Sequence, residues 1–206
     1  MTELARRDPQ QTAMQRVSSA SLPQYLTRDQ VHALLEACRS ERDRLFARAG
    51  FETGGRVTEL IGIRRSDIDL ANRQIRLVTL KRLKKRQRKQ REHFRWLPVT
   101  HSLIADLASY FLEHPIADGD RIFPFTRQAA FKMLKHAGAR AGVVARGGRD
   151  VSPHILRHSF AMNCLTQGMP INVLQELLGH SSILNTMIYL KTDPAEARAF
   201  LAKVNF

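Results

Sequence analysis

SPHILRHSF, residues 152–160, sets His154, Arg157 and His158 at positions i, i+3 and i+4. Ser152 is a good N-cap residue and Pro153 suits the first helical position, so a helix is predicted to open here. On that helix the two imidazoles and the guanidinium share one face. The histidine spacing matches the zinc-binding helix of HExxH metalloproteases. Ile155, however, stands where that motif needs its general-base glutamate. Arg157, directly before His158, would also repel a dication. The face is read as one that meets an anion, with no metal.

The rest of the chain carries the same bias. Its 33 Lys and Arg outnumber its 19 Asp and Glu, for a formal charge of +14. Such an excess suits a polyanionic partner, because each neutralised phosphate releases condensed counterions. Charge alone suits DNA, RNA and an anionic membrane equally. Apolar residues make up 43% of the 206, a globular composition. No apolar run approaches the length of a membrane span or a signal h-region. Cys38 and Cys164 are the two cysteines and lie on apolar helical stretches, as buried free thiols in a reducing cytoplasm would. A magnesium nuclease needs clustered carboxylates. The candidate pairs, Asp67 with Asp69 and Asp118 with Asp120, read as turn or cap acids. No glycine-rich nucleotide loop occurs.

Working outward from the opening stretch, residues 1–24 lack apolar periodicity and read as a flexible N-terminal arm. The folded unit, 25–206, starts at LTRDQVHALLEACRS, where Thr27 and Gln30 have capping-box spacing. ERDRLFARAGFETG is predicted as a second helix ending at Gly54–Gly55, and RVTELIGI as a short third. RQIRLVTL alternates with a period of two, with Ile75, Leu77 and Thr79 on one face, and HFRWLPV is its return strand. Helices are predicted over 101–113, 126–141, from Pro153, over 170–178 and 181–190, and again from Asp193–Pro194. The fold class is mainly α with a small antiparallel β-sheet (α+β).

Between the two strands lies KRLKKRQRKQREHFR, residues 81–95, with nine Lys or Arg against one Glu. Charge runs are usually solvated faces. This one holds more than half of the net charge at the tip of a ribbon that can reach across a groove. Lys84, Lys85, Arg86, Arg88 and Lys89 are therefore read as phosphate contacts that set affinity and not sequence preference. Elsewhere, Gly179–His180 falls at a helix boundary, Tyr189 lies nine residues beyond His180, and Arg56 follows two glycines at a helix start.

Together these segments resemble the tyrosine recombinase (phage integrase) family. TGGRVTELIGIRRSDIDL is similar to the family's first arginine box. HILRHSFAMNCLTQGMPINVLQELLGHSSILNTMIYLK is similar to its second, with His-x-x-Arg, Leu-Gly-His and the tyrosine in order. The likeness runs from about residue 25 to 200, the family's whole catalytic domain. It implies a catalytic set of Arg56, His154, Arg157, His180 and Tyr189, completed by a lysine after the first box. Lys81 fits that place, with Lys84 and Lys85 as rivals because the connection to the LPV strand is longer than usual for the family.

Phosphodiester chemistry suits such a set. Guanidinium forks bind two non-bridging oxygens, and His180 adds a donor. Cations favour the phenolate of Tyr189, Lys81 protonates the leaving 5′-oxygen, and His154 serves the phosphate or the phenol's proton. The resemblance further implies a 3′-phosphotyrosyl intermediate, no cofactor, and double-stranded DNA held by a homotetramer. Accessory DNA-bending proteins and a cytoplasmic, nucleoid-associated setting belong to the same expectation. The C-terminal apolar set Ala197, Phe200, Leu201 and Val204 packs either on its own core or on a neighbouring protomer. With about 24 residues before the match, the chain is similar to short fimbrial-switch recombinases that lack a core-binding domain. A non-cleaving DNA-binding regulator on this fold would have no use for Tyr189. A type IB topoisomerase-like relaxing enzyme would share the chemistry but act without partner sites.

Overall fold

The computed structural model describes residues 24–80, 92–180 and 182–190. Eight helices occur among these residues: α1 (Arg28–Glu36), α2 (Glu41–Thr53), α3 (Val57–Leu60), α4 (His101–Glu113), α5 (Arg127–Arg140), α6 (Pro153–Thr166), α7 (Ile171–Leu178) and α8 (Leu184–Met187). The strands β1 (Ile68–Asp69), β2 (Gln74–Leu80) and β3 (Glu92–Pro98) form one antiparallel sheet in the order β1-β2-β3. Mainly α with a small antiparallel sheet is thus the observed fold class. Lys81, Lys84, Lys85, Arg86, Arg88 and Lys89, the N-terminal arm and the helix expected from Asp193 lie outside the described residues.

Local signals account for most boundaries. Thr27 accepts from the Gln30 N–H while the Gln30 side chain accepts from the Thr27 N–H, a complete capping box. Ser40, Thr100, Thr126 and Ser152 cap α2, α4, α5 and α6 with a single bond each, the cap hydroxyl accepting from the N–H three residues on. β2 pairs with β3 in a register that sets Ile75 opposite Leu97 and Leu77 opposite Arg95. Ile75 and Leu77 are fully buried, so the expected inner face of this strand is the observed one. Asp67 and Asp69 do act as cap and turn acids, accepting from the Arg64 and Asn72 N–H groups. Two expectations need correction. β1 adds a third strand that two residues are too short to announce. The single helix expected over 181–190 is α8 followed by a 3₁₀ turn at Ile188–Leu190.

The core has two parts. In the larger one Phe46 is fully buried, with edge-to-face contacts to Phe123 and Phe125 at centroid distances of 5.4 and 5.2 Å. The smaller gathers Phe160, Met162, Cys164, Leu174, Leu178 and Tyr189. α6 runs between both and is buried nearly all round. It packs along α2, where a Cβ on Gly50 would sit 3.4 Å from Leu156 Cδ1. Both cysteines are free thiols, Cys164 buried and Cys38 half-buried. No helix among the described residues is long and apolar enough to cross a membrane.

Candidate active site

The site forms where three chain turns meet α6. The first is the end of α2. Gly54 adopts a left-handed φ of 60°, and a Cβ there would fall 2.4 Å from Phe160 Cδ1, so only glycine fits. The chain then turns to Arg56, the N-cap of α3. The Arg56 N–H donates to Glu59 Oε2 at 2.9 Å, and its guanidinium meets Glu59 Oε1 at 3.2 Å. The second turn ends α7, where Gly179 has a φ of 63° and swings His180 back towards α6. The third is the 3₁₀ turn that carries Tyr189.

Three successive carbonyls at the end of α7 take three different arginines. Leu177 O accepts from Arg95 Nε at 2.8 Å, Leu178 O from Arg157 Nη2 at 2.8 Å, and Gly179 O from Arg56 Nη2 at 3.4 Å. The negative end of the helix dipole thus gathers the cations. Arg157 is 5% exposed and also donates to Gly54 O at 2.6 Å. Burial and the neighbouring charge of Arg56 lower its pKa to about 10, so it stays charged at neutral pH.

His180 Nε2 lies 2.7 Å from Arg157 Nη2, and its Nδ1 lies 2.9 Å from Thr186 Oγ1. A guanidinium only donates, so Nε2 accepts and Nδ1–H donates to Thr186. Burial, then Arg157, Arg56 and Arg95, push His180 down to about 4, which keeps the ring neutral. The donor that sequence reasoning aimed at phosphate is therefore engaged by Thr186 in the free protein.

Tyr189 is 4% exposed, and its Oη lies 2.8 Å from His158 Nδ1. Burial raises its pKa, partly offset by Arg157. Of the expected set, Arg157 and His180 are in direct contact, Arg56 joins them through the neighbouring carbonyl of Gly179, and Tyr189 lies near Arg157. His154 is solvent-exposed, with its ring edge-on to Phe131 at 6.4 Å. The lysine position, Lys81 or its rivals, lies outside the described residues.

Sequence reasoning missed the anchor of the cluster. Glu59 is 3% exposed and receives Arg95 Nη2 at 3.0 Å and Nη1 at 3.2 Å, as well as Arg56 and the Thr79 hydroxyl. Burial opposes its ionisation, but the hydrogen bonds and charge of Arg95, with Thr79 and the Arg56 N–H, hold its pKa at about 2. Its signal was an acid three residues after a cap position. Arg95 ends the basic stretch 81–95 in sequence, yet it shares strand parity with Leu97 and points inward. Three guanidiniums against one carboxylate leave the site cationic. Among the described residues, no three His, Cys, Asp or Glu side chains gather as a metal site would need.

This arrangement sets Arg56, Arg95 and Arg157 in one cationic cluster, with the buried Tyr189 close to Arg157. The sequence profile of the phage integrase family matches residues 24–196, and the chain belongs to that family. It is 35% identical over 194 residues to tyrosine recombinase XerD of Mycobacterium tuberculosis (strain ATCC 25618 / H37Rv), covering 83% of this chain and 57% of that protein. It is 29% identical over 198 residues to tyrosine recombinase XerA of Pyrococcus furiosus, covering 90% and 63%. The chain thus spans about three fifths of the length of these relatives. Among solved structures, a XerA recombinase superposes with a TM-score of 0.72 at 27% identity, covering 91% of this chain and 66% of the other. The catalytic domain of bacteriophage HP1 integrase superposes with a TM-score of 0.60 at 25% identity, covering 89% and 95%.

Proposed function

We propose that this chain is the catalytic unit of a site-specific DNA recombinase that cuts and rejoins strands through a 3′-phosphotyrosyl intermediate. The observation that carries the reading is the meeting of Arg56, Arg157 and His180 at the end of α7 with Tyr189 held beside them in the same chain. Arg56 and Arg157 take the two non-bridging oxygens, exchanging backbone carbonyls for phosphate. Tyr189 Oη attacks phosphorus, and a lysine from the β2–β3 connection (Lys81, with Lys84 and Lys85 as alternatives) protonates the 5′-oxygen. His154, exposed at the start of α6, hydrogen-bonds the phosphate from outside. Lys84, Lys85, Arg86, Arg88 and Lys89 track the backbone of double-stranded DNA. Residues 25–206 form the catalytic domain and 1–24 an arm. The working assembly is a homotetramer on paired sites, helped by DNA-bending proteins, in the cytoplasm with the nucleoid.

The test is covalent capture in excess EDTA on a pool of nicked duplexes of random sequence, in which the nick lets the cut strand diffuse away. The wild-type chain yields protein–DNA adducts and Tyr189→Phe yields none while still retaining DNA. Capture that requires added magnesium or zinc would count against the reading.

A further inference from the structure

His158 belongs to the opening motif yet has no part in the catalytic set above. Among the described residues its Nδ1 is the hydrogen-bond partner of Tyr189 Oη, at 2.8 Å, with the rings edge-to-face at 5.4 Å. The other two imidazoles of the site are placed elsewhere. His180 has both ring nitrogens engaged, by Arg157 and Thr186. His154 is exposed and lies against Phe131.

We propose that His158 is the proton acceptor for Tyr189, a further catalytic residue of the cleavage step. This assignment rests on the reading of Tyr189 as the nucleophile. In the tautomer with the proton on Nε2, the Nδ1 lone pair receives the phenol O–H. As the Oη–phosphorus bond forms and the bond from phosphorus to the 5′-oxygen breaks, the phenol proton passes to Nδ1. The 5′-oxygen leaves with a proton from the active-site acid. On rejoining, the 5′-hydroxyl attacks the phosphotyrosine, its proton returns to that acid's conjugate base, and Nδ1 gives its proton back to Oη.

The surroundings fit this division of labour. Burial, His154 and Arg157 lower His158 to about 4, so the ring is unprotonated at neutral pH. The titratable groups facing it are His154 and Arg157 from α6, Tyr189 from the 3₁₀ turn and His180 after α7. Without DNA the proton stays on the buried phenol, and the nucleophile is quiet. A bound phosphate sets negative charge beside Arg157 and relieves the repulsion that keeps an imidazolium from forming.

The experiment is single-turnover covalent capture on the nicked random pool. His158→Ala and His158→Asn should each slow adduct formation by about 10²–10⁴-fold. Asparagine places an oxygen near the former Nδ1 and can accept the hydrogen bond, but it cannot take the proton. A fluorinated tyrosine of lower phenol pKa at position 189 needs less help. It should bring His158→Asn back to within about tenfold of the wild type. Capture by His158→Asn within about threefold of the wild type would reduce His158 to a positioning residue and overturn the proposal. So would a defect untouched by the more acidic phenol. Adducts formed by Tyr189→Phe would instead overturn the nucleophile reading itself, a result that does not depend on His158.

Discussion

Glu59→Gln isolates the part of the site that motif reading did not reach. The side chain keeps its size but loses the charge that faces Arg95 and Arg56. A carboxyl whose pKa falls from 4.5 to about 2 on folding contributes about 3 kcal/mol at neutral pH. Removing one partner of a buried ion pair costs about 3–5 kcal/mol, in agreement. For a domain of this size, such a loss lowers Tm by about 10 °C. The folded-state pKa lies below the unfolded one, so the contribution is complete above 4.5 and is lost as pH falls towards 2. Thermal melts of wild type and Glu59→Gln should therefore differ at pH 7 and converge as the acid range is entered. Equal Tm values at pH 7, or a gap that does not close in acid, would refute the account of Glu59 as the anchor of the arginines.

Phe46→Ala opens a cavity beneath Phe123 and Phe125 and should cost about 3–5 kcal/mol in urea denaturation, without touching the site. His158 and His180 are each lowered from 6.5 to about 4, so stability should fall as pH drops through that window. Denaturation midpoints at pH 7 and pH 5 check this, and a His180→Asn variant should show a shallower fall. Neutralising Arg86, Arg88 and Lys89 should weaken binding to all DNA sequences and flatten the salt dependence by a slope of roughly 0.9 per lost contact. Filter binding across a salt series measures it.

What the sequence made legible was whatever repeats locally or has a local cause. Thr27 with Gln30, Ser152 with Pro153, and the alternation of Ile75 and Leu77 each settle an element within a few residues. Long-range partners leave no such trace. Arg95 looks like one more cation in a run of nine until its parity with Leu97 is followed across the strand. Glu59 reads as an ordinary first-turn acid, because Arg95 and Thr79 come from a sheet that is remote in the chain. The segment before Tyr189 misled for a different reason. Its polar Thr186 is fully buried to hold His180, while Leu184 and Met187 face solvent, so tertiary contact overrides the apolar pattern. The contact between His158 and Tyr189 spans 31 residues and has no sequence signature of its own.

The proposed chemistry joins this chain to DNA through one tyrosine. Adducts captured from the nicked pool can be digested with protease and nuclease and the residual nucleotide located by mass spectrometry. A phosphonucleotide is expected on the peptide containing Tyr189, attached through the 3′-phosphate, and should disappear in Tyr189→Phe. A nucleotide mapped to Tyr25, Tyr110 or any other residue, or a link through a 5′-phosphate, would contradict it.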